Sequence, residues 1–353
     1  MKRLVLGVAA LAAASALAAG WSEIGEVRVA SQKTMAPQIT SLANQAKFPL
    51  LPMLVKEGMG NCEYAQAFGA LGEDAEIGCK LFSDGKKLSD VWYWPVKGGA
   101  DAWRKANPGR KVGGGGKFTP AFTADGRHAC VCEEAELAKL AAKKGVAAVK
   151  PLTKGLVVVK LDDQKFFDNL DAFAKAQAKE LEKVTGQKAE TPEFHDFLCE
   201  IGKTISSLRV VAGASTRGFD IRAKLVAREG ASAAFREKTG MIASKIKDGE
   251  VEVLEFVNGK AKDGKGPAEL KAGLAKAIPE SAGTKDPLFA VRSKVAMSED
   301  PKGPSASLWV FAWRAGDELR AIIRIPSADL AGMMAGMMQV QMQGQGEEEG
   351  APK

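Results

Sequence analysis

Residues 219–228 carry the strictest two-residue alternation in the chain. Phe219, Ile221, Ala223, Leu225 and Ala227 fall on one parity, and Asp220, Arg222, Lys224 and Arg228 on the other. Successive side chains of a strand point to opposite faces, so this spacing predicts a half-buried strand. A buried parallel sheet is built from solidly apolar strands instead, and the alternation argues against one.

The strand belongs to a recurring plan. Leu208, Val210 and Ala212 alternate ahead of a turn at Thr216-Arg217-Gly218, and a helix follows residues 219–228 near Gly230-Ala231-Ser232. Earlier, Ala75, Ile77, Cys79 and Leu81 alternate before a turn at Ser83-Asp84-Gly85. The strand Val91–Val96 and a helix opening at Gly98-Gly99-Ala100-Asp101 come next. Later, Leu308–Trp313, a turn at Ala315-Gly316-Asp317 and an alternation from Leu319 to Ile325 lead into Pro326-Ser327-Ala328-Asp329, where Ser327 is an N-cap. Three successions of hairpin, small-residue cap and helix point to a duplicated unit.

Between them, Phe118–Phe122 and Arg127–Cys132 read as a hairpin around Asp125-Gly126, with a helix over Glu133–Lys144. Gly155–Leu161 reads as a strand. A long helix then sets Phe166, Leu170, Phe173, Leu181 and Val184 on one stripe and ends at Gly186. Residues 22–33 read as a polar lead-in. Residues 36–70 read as helical pieces interrupted at Pro49 and Pro52, because proline lacks an amide donor and restrains its predecessor. Val251–Val257 is a strand and 258–268 a loop.

These elements predict an α+β fold: antiparallel sheets built from β-hairpin-plus-helix units, helices packed on one face, and two similar lobes. The expected division is a signal peptide over 1–18, lobes over 19–186 and 187–343, and a disordered acidic tail over 344–353.

The first residues fit an export signal. Lys2 and Arg3 precede an uncharged apolar run from Leu4 to Leu17, and Ala16-Leu17-Ala18 supplies the small-x-small cleavage pattern. The run is shorter than the roughly 20 residues of a membrane span. The expected product is periplasmic or extracellular, with no stable membrane span after cleavage. Removing Lys2 and Arg3 lowers the formal charge from +7 to +5. No block of five or six basic residues occurs, which argues against nucleic-acid binding.

Few residues offer chemistry. His128, Cys130 and Cys132 share one parity of a predicted strand and form a soft ligand set for copper or zinc, with Cys79 as a conceivable fourth ligand. The same thiols also suit a packed core. Met334 and Met338 share a face of a terminal helix, among five methionines within ten residues, and fit core packing of a helix that caps the sheet, an apolar surface, or copper(I) binding. Trp92 and Trp94 share a strand face, as do Trp309 and Trp313, and fit either a ligand surface or core anchors. Gly113–Gly116 with Lys117 fails as a phosphate loop, because Phe118 stands where Ser or Thr is needed. The histidines, His128 and His195, form no catalytic motif, and no carboxylate pair stands out.

The reading is an exported, non-catalytic binding or structural protein without a cofactor, using a sheet-and-helix surface or groove for an apolar ligand or an envelope protein. A soft-metal binder and a hydrolase with a carboxylate site are the alternatives.

Overall fold

The computed structural model describes residues 21–84, 88–145, 152–172, 175, 195–241, 246–247, 250–251, 253–257, 260–261, 268–296 and 305–330. The expected signal peptide, the boundary near 186–192, Met334, Met338 and the acidic tail lie outside these residues. The fold is α+β, with mostly antiparallel open sheet. The chain forms two compact units. Residues 1–33, 55–153 and 157–208 make the first, and 34–54, 154–156 and 209–353 the second.

The sheet of the first unit uses β1 (Ser22–Val29), β2 (Ile77–Ser83), β3 (Leu88–Pro95), β4 (Ala121–Phe122), β5 (His128–Val131) and β6 (Val157–Leu161). Their order is β6-β1-β2-β3-β5-β4. The segment expected as a lead-in is thus an interior strand, paired on both sides. Its charges hid it. Glu23 and Arg28 find partners along the sheet, Lys80 at 2.9 Å and Glu76, so charged side chains sit in a central strand without standing alone. Gly25 lies opposite both Leu81 and Leu161, and a Cβ there would fall 2.1 Å from the Lys160 carbonyl oxygen. No side chain fits at that crossing.

The N-terminal helices are α1 (Gln32–Gln45) and α2 (Leu51–Asn61). In the first unit α3 (Glu63–Phe68), α4 (Gly99–Ala106) and α5 (Ala135–Lys144) cover the sheet. Ala65, Phe68 and Trp103 pack with Trp94, Ala129 and Val131. Leu137, Ala138 and Ala141 pack with Val91, Tyr93 and Cys130. Those two strand sets have opposite parity, so α3 and α4 lie on one face and α5 on the other. The expectation of helices on one face is therefore corrected here. Ala129-Cys130-Val131 is apolar on both parities, the mark of a strand covered on both sides.

The second unit orders its strands β12-β11-β13-β14-β15-β8-β7. These are β7 (Ile205–Ser215), β8 (Gly218–Ala227), β11 (Val253–Val257), β12 (Lys260–Ala261), β13 (Pro287–Ala296), β14 (Ser305–Ala315) and β15 (Glu318–Pro326). The short pair β9 (Ile246–Lys247) and β10 (Glu250–Val251) stands apart. Part of the expected 258–268 loop is strand, since Lys260 and Ala261 turn back on Val257 and Phe256. The pair β11–β13 is parallel. Of the connecting residues, 268–277 form a helix, which we call the cover helix (Ala268–Ala277). It buries Leu270, Leu274 and Ala277 against a row of directly paired residues, Val253, Ala290, Phe311 and Ile322. Burying the larger of these side chains, such as Leu270, Leu274 and Phe311, contributes roughly 1.5–3 kcal/mol each.

Candidate functional site

The strand that opened the sequence reading carries the most polar part of this core. In β8, Asp220 is buried, while Phe219 and Ile221 are only half-buried. The strand is as expected, but the polar parity is the one covered at this point. Asp220 pairs with Arg324 of β15, Arg324 with Trp309, Trp309 with Arg292 and Arg292 with Glu255. One register row across five strands therefore reads acid, base, aromatic, base, acid.

Arg324 is 1% exposed. Its Nε and Nη2 donate to the two carboxylate oxygens of Asp220, the second at 2.7 Å. Its Nη1 donates to the carbonyl of Ala277, the last residue of the cover helix. Helices end in carbonyls without an intrahelical partner, at the negative end of the dipole, so a guanidinium fits there. Arg222 reaches Asp220 at 3.1 Å and Glu280 at 2.8 Å. Burial works against ionisation of Glu280, but its own amide N–H and the Arg222 guanidinium outweigh it and hold the carboxyl below the usual range. At the other end Arg292 lies 5.3 Å from the Trp309 ring centroid, 3.3 Å from Glu255 and 3.2 Å from the Ser307 hydroxyl. Each of these groups is held by an opposite charge or a ring. The row anchors helix to sheet; it does not present a reactive group.

A cavity of about 410 Å³ lies in the first unit, between the start of α4 and the β4–β5 hairpin. Arg104 pairs with Asp101 at 2.9 Å and sits 4.7 Å from the Phe122 ring centroid. Across it the Thr123 hydroxyl donates to Asp125 at 2.6 Å, and with the Arg127 N–H at 3.0 Å it holds that exposed carboxyl below the usual range.

The four glycines 113–116 form a loop closed by the Val112–Phe118 bridge, all with positive φ. The amides of Gly115 and Gly116 point at the carboxylate of Glu63, at 3.4 and 3.1 Å. An internal acid thus takes the place an anion would occupy.

Cys130 and Cys132 are buried in the apolar cluster under α5, and His128 is half-buried at the strand start. Cys79 has the opposite parity in its strand, with Ile77 of the other cluster, so it cannot join them on one face. Among the described residues no three His, Cys, Asp or Glu side chains gather into a metal-sized group. Burial pushes the thiols of Cys79 and Cys130 up to about 12 and that of Cys132 to about 11. Thiols raised this far stay almost wholly protonated near pH 8, and the thiolate is the form that reacts. Native alkylation near pH 8 is thus expected to label Cys62 and Cys199, both partly exposed, and to spare the other three until denaturant is added. Peptide mass spectrometry checks this, and rapid native labelling of Cys130 would contradict it.

Trp94 is a core residue at 2% exposure, its indole N–H donated to Gly69 O at 3.2 Å. Trp92, on the same face, is half-buried and donates to Asp90. Trp309 is buried and Trp313 packs partly against the same cluster.

A cluster of exposed apolar side chains lies elsewhere. Helix α2 has no buried residue. Leu50, Met53 and Leu54 at its start are 52%, 48% and 47% exposed. The run Phe48-Pro49-Leu50-Leu51-Pro52-Met53-Leu54-Val55 holds the signal that could have revealed it: no polar residue interrupts it, so it lacks the face a docked surface helix keeps in water. No described helix is long and apolar enough to cross a membrane. Compared with protein-family models, with curated proteins and with solved structures, the chain gives no match.

Proposed function

We propose that the chain is an exported, non-catalytic binding protein that works through the apolar surface at the start of α2. The observation that carries this reading is the helix without a buried side chain. Three large apolar residues in water oppose folding economy, and clustered exposure of this kind marks interaction sites. The paired charges of the second unit and the buried thiols of the first fit a scaffold that presents such a surface. The three hairpin-and-helix successions fit one building unit used repeatedly.

Export and binding are tested separately. Fractionation of the producing cell with intact-mass analysis is expected to find the chain outside the cytoplasm with residues 1–18 removed; an unprocessed cytoplasmic chain would overturn the first half. For the second, an apolar fluorescent probe is expected to bind the folded protein and to be lost in a Leu50→Ser/Leu54→Ser variant. Equal probe binding by both proteins would overturn it.

A further inference from the structure

We infer that the uncharged face of the second unit's sheet is the interface of a homodimer, its occupant the same face of a second copy of the chain. This surface differs from the start of α2 and does not depend on that reading.

The face follows from strand parity. Asp220, Arg324, Trp309, Arg292 and Glu255 share the side of the cover helix, so their neighbours in each strand point away from it. Those neighbours, Ile221, Ile323, Val310, Val291 and Leu254, are directly paired in turn across β8, β15, β14, β13 and β11. One register row thus carries acids and bases toward the helix, and the next is wholly aliphatic on the reverse. An antiparallel sheet with one covered face ordinarily keeps its charges on the other, in water. Here the order is inverted. Of the charged residues in these five strands, only Arg314 shares the aliphatic parity, and it is bound to Asp286 at 2.8 Å. Yet Leu254 is 42% exposed and the other four members of the row are half-buried, whereas Val253, Ala290, Phe311 and Ile322 on the helix side are buried. The aliphatic side is open to a further layer.

Relief, charge and extent select a second copy as that layer. Beside the aliphatic ridge runs a row of small side chains, Ala223, Ala321 and Ala312, also directly paired. A two-fold axis in the plane of the face, between the two rows, sets the ridge of each copy into the alanine trough of the other. The formal charge is +7, or +5 without Lys2 and Arg3, so two copies repel unless they meet on a surface free of charge, and this one is. Depletion of charge and high apolar content also mark homodimer interfaces more than transient ones. A bilayer would call on basic residues around the patch, and the arginine on this parity is already spent on Asp286. An acyl chain on a face open along five strands would be covered on one side only, whereas small-ligand sites bury roughly 70–90% of their guest. With the row of Phe219 and Ile325, the face spans five strands and three rows. A strand spacing of about 4.8 Å and a rise of about 3.3 Å give an outline of roughly 24 by 20 Å, about 500 Å² before side-chain relief is counted. That approaches the roughly 600 Å² per partner at which specific interfaces begin.

Sedimentation velocity of the processed protein, its intact mass verified, tests this over a dilution series. The parent is expected to dimerise with a dissociation constant in roughly the micromolar range or tighter, little changed by added salt because no charges meet. Val310→Thr/Ile323→Thr should weaken the dimer about a hundredfold or more, since each hydroxyl is buried without a partner. Ala321→Leu should weaken it about tenfold or more by filling the trough, although it makes the face more apolar. Circular dichroism should match the parent in both variants, because these side chains stand on the open face.

A parent that stays monomeric throughout the series would overturn the inference. So would row variants that dimerise as the parent does, or tighter self-association of the Ala321→Leu variant, which marks an indiscriminately adhesive surface. Dimerisation abolished by Leu50→Ser/Leu54→Ser and untouched by the row variants would place the contact at α2 and also overturn it.

Discussion

Replacing Asp220 by asparagine is expected to lower the unfolding free energy by about 3–5 kcal/mol, measured by denaturant titration. The substitution keeps the shape and removes the charge. Arg324, at 1% exposure, then retains a full positive charge with its two-pronged partner gone. Glu280 at 3.8 Å and the Ala277 carbonyl remain, so the lower end of the range is the better expectation. Against a typical total of about 5–15 kcal/mol this is a large share. The converse substitution separates pairing from packing. Arg324→Met together with Asp220→Leu should recover most of the loss, since removing both charges leaves neither uncompensated. A double variant as unstable as the single one would show that the Ala277 contact, not the ion pair, holds the cover helix. The same network gives a pH signature. The Glu280 carboxyl is depressed in the folded protein. Its contribution is present above the unfolded value of about 4.3 and is lost as pH falls through the lower folded value.

Phe68→Ala is expected to cost a similar amount, about 3–5 kcal/mol, in the first unit. The ring is 2% exposed and lies between Trp103 at 5.4 Å and Phe122 at 6.5 Å, centroid to centroid. Deleting it removes the apolar surface and leaves a void that two rigid aromatic neighbours cannot easily fill. Local effects should follow. The Trp103 indole N–H donates to Ala67 O at 2.6 Å, one residue before the lost ring. Phe122 also carries the Arg104 guanidinium at the cavity wall. Hydrogen exchange should accelerate in α3, α4 and the β4–β5 hairpin before the rest of the unit. Unchanged exchange there would mean that the cluster repacks around the void.

Much of the element order was legible in the residues. The hairpins closing near Ser83, Thr216 and Ala315 form as expected, because two-residue alternation flanking a turn is a local signal. β1 escaped because Glu23 and Arg28 made it look exposed; their partners, Lys80 and Glu76, lie more than forty residues away. The helix α5 was legible, but its place on the second face of the first sheet was not, because which side of a sheet a helix covers depends on contacts distant in sequence. The break in the helices at Pro49 and Pro52 forms as expected: α1 ends at Gln45 and α2 starts at Leu51, with Pro52 in its first turn, where a missing N–H costs nothing.

The alternation of residues 219–228 shows where the boundary falls. By itself it determines that the segment is extended and that its parities differ in character, since both follow from the two-residue period of the backbone. It does not determine which parity is covered at a given position. That was decided by Arg324, 104 residues further on, and by the end of the cover helix. Together they supply the hydrogen bonds and opposite charge that offset the cost of burying Asp220. A single carboxylate in a strand pattern reads as solvent-facing, and only its distant partners can reverse that.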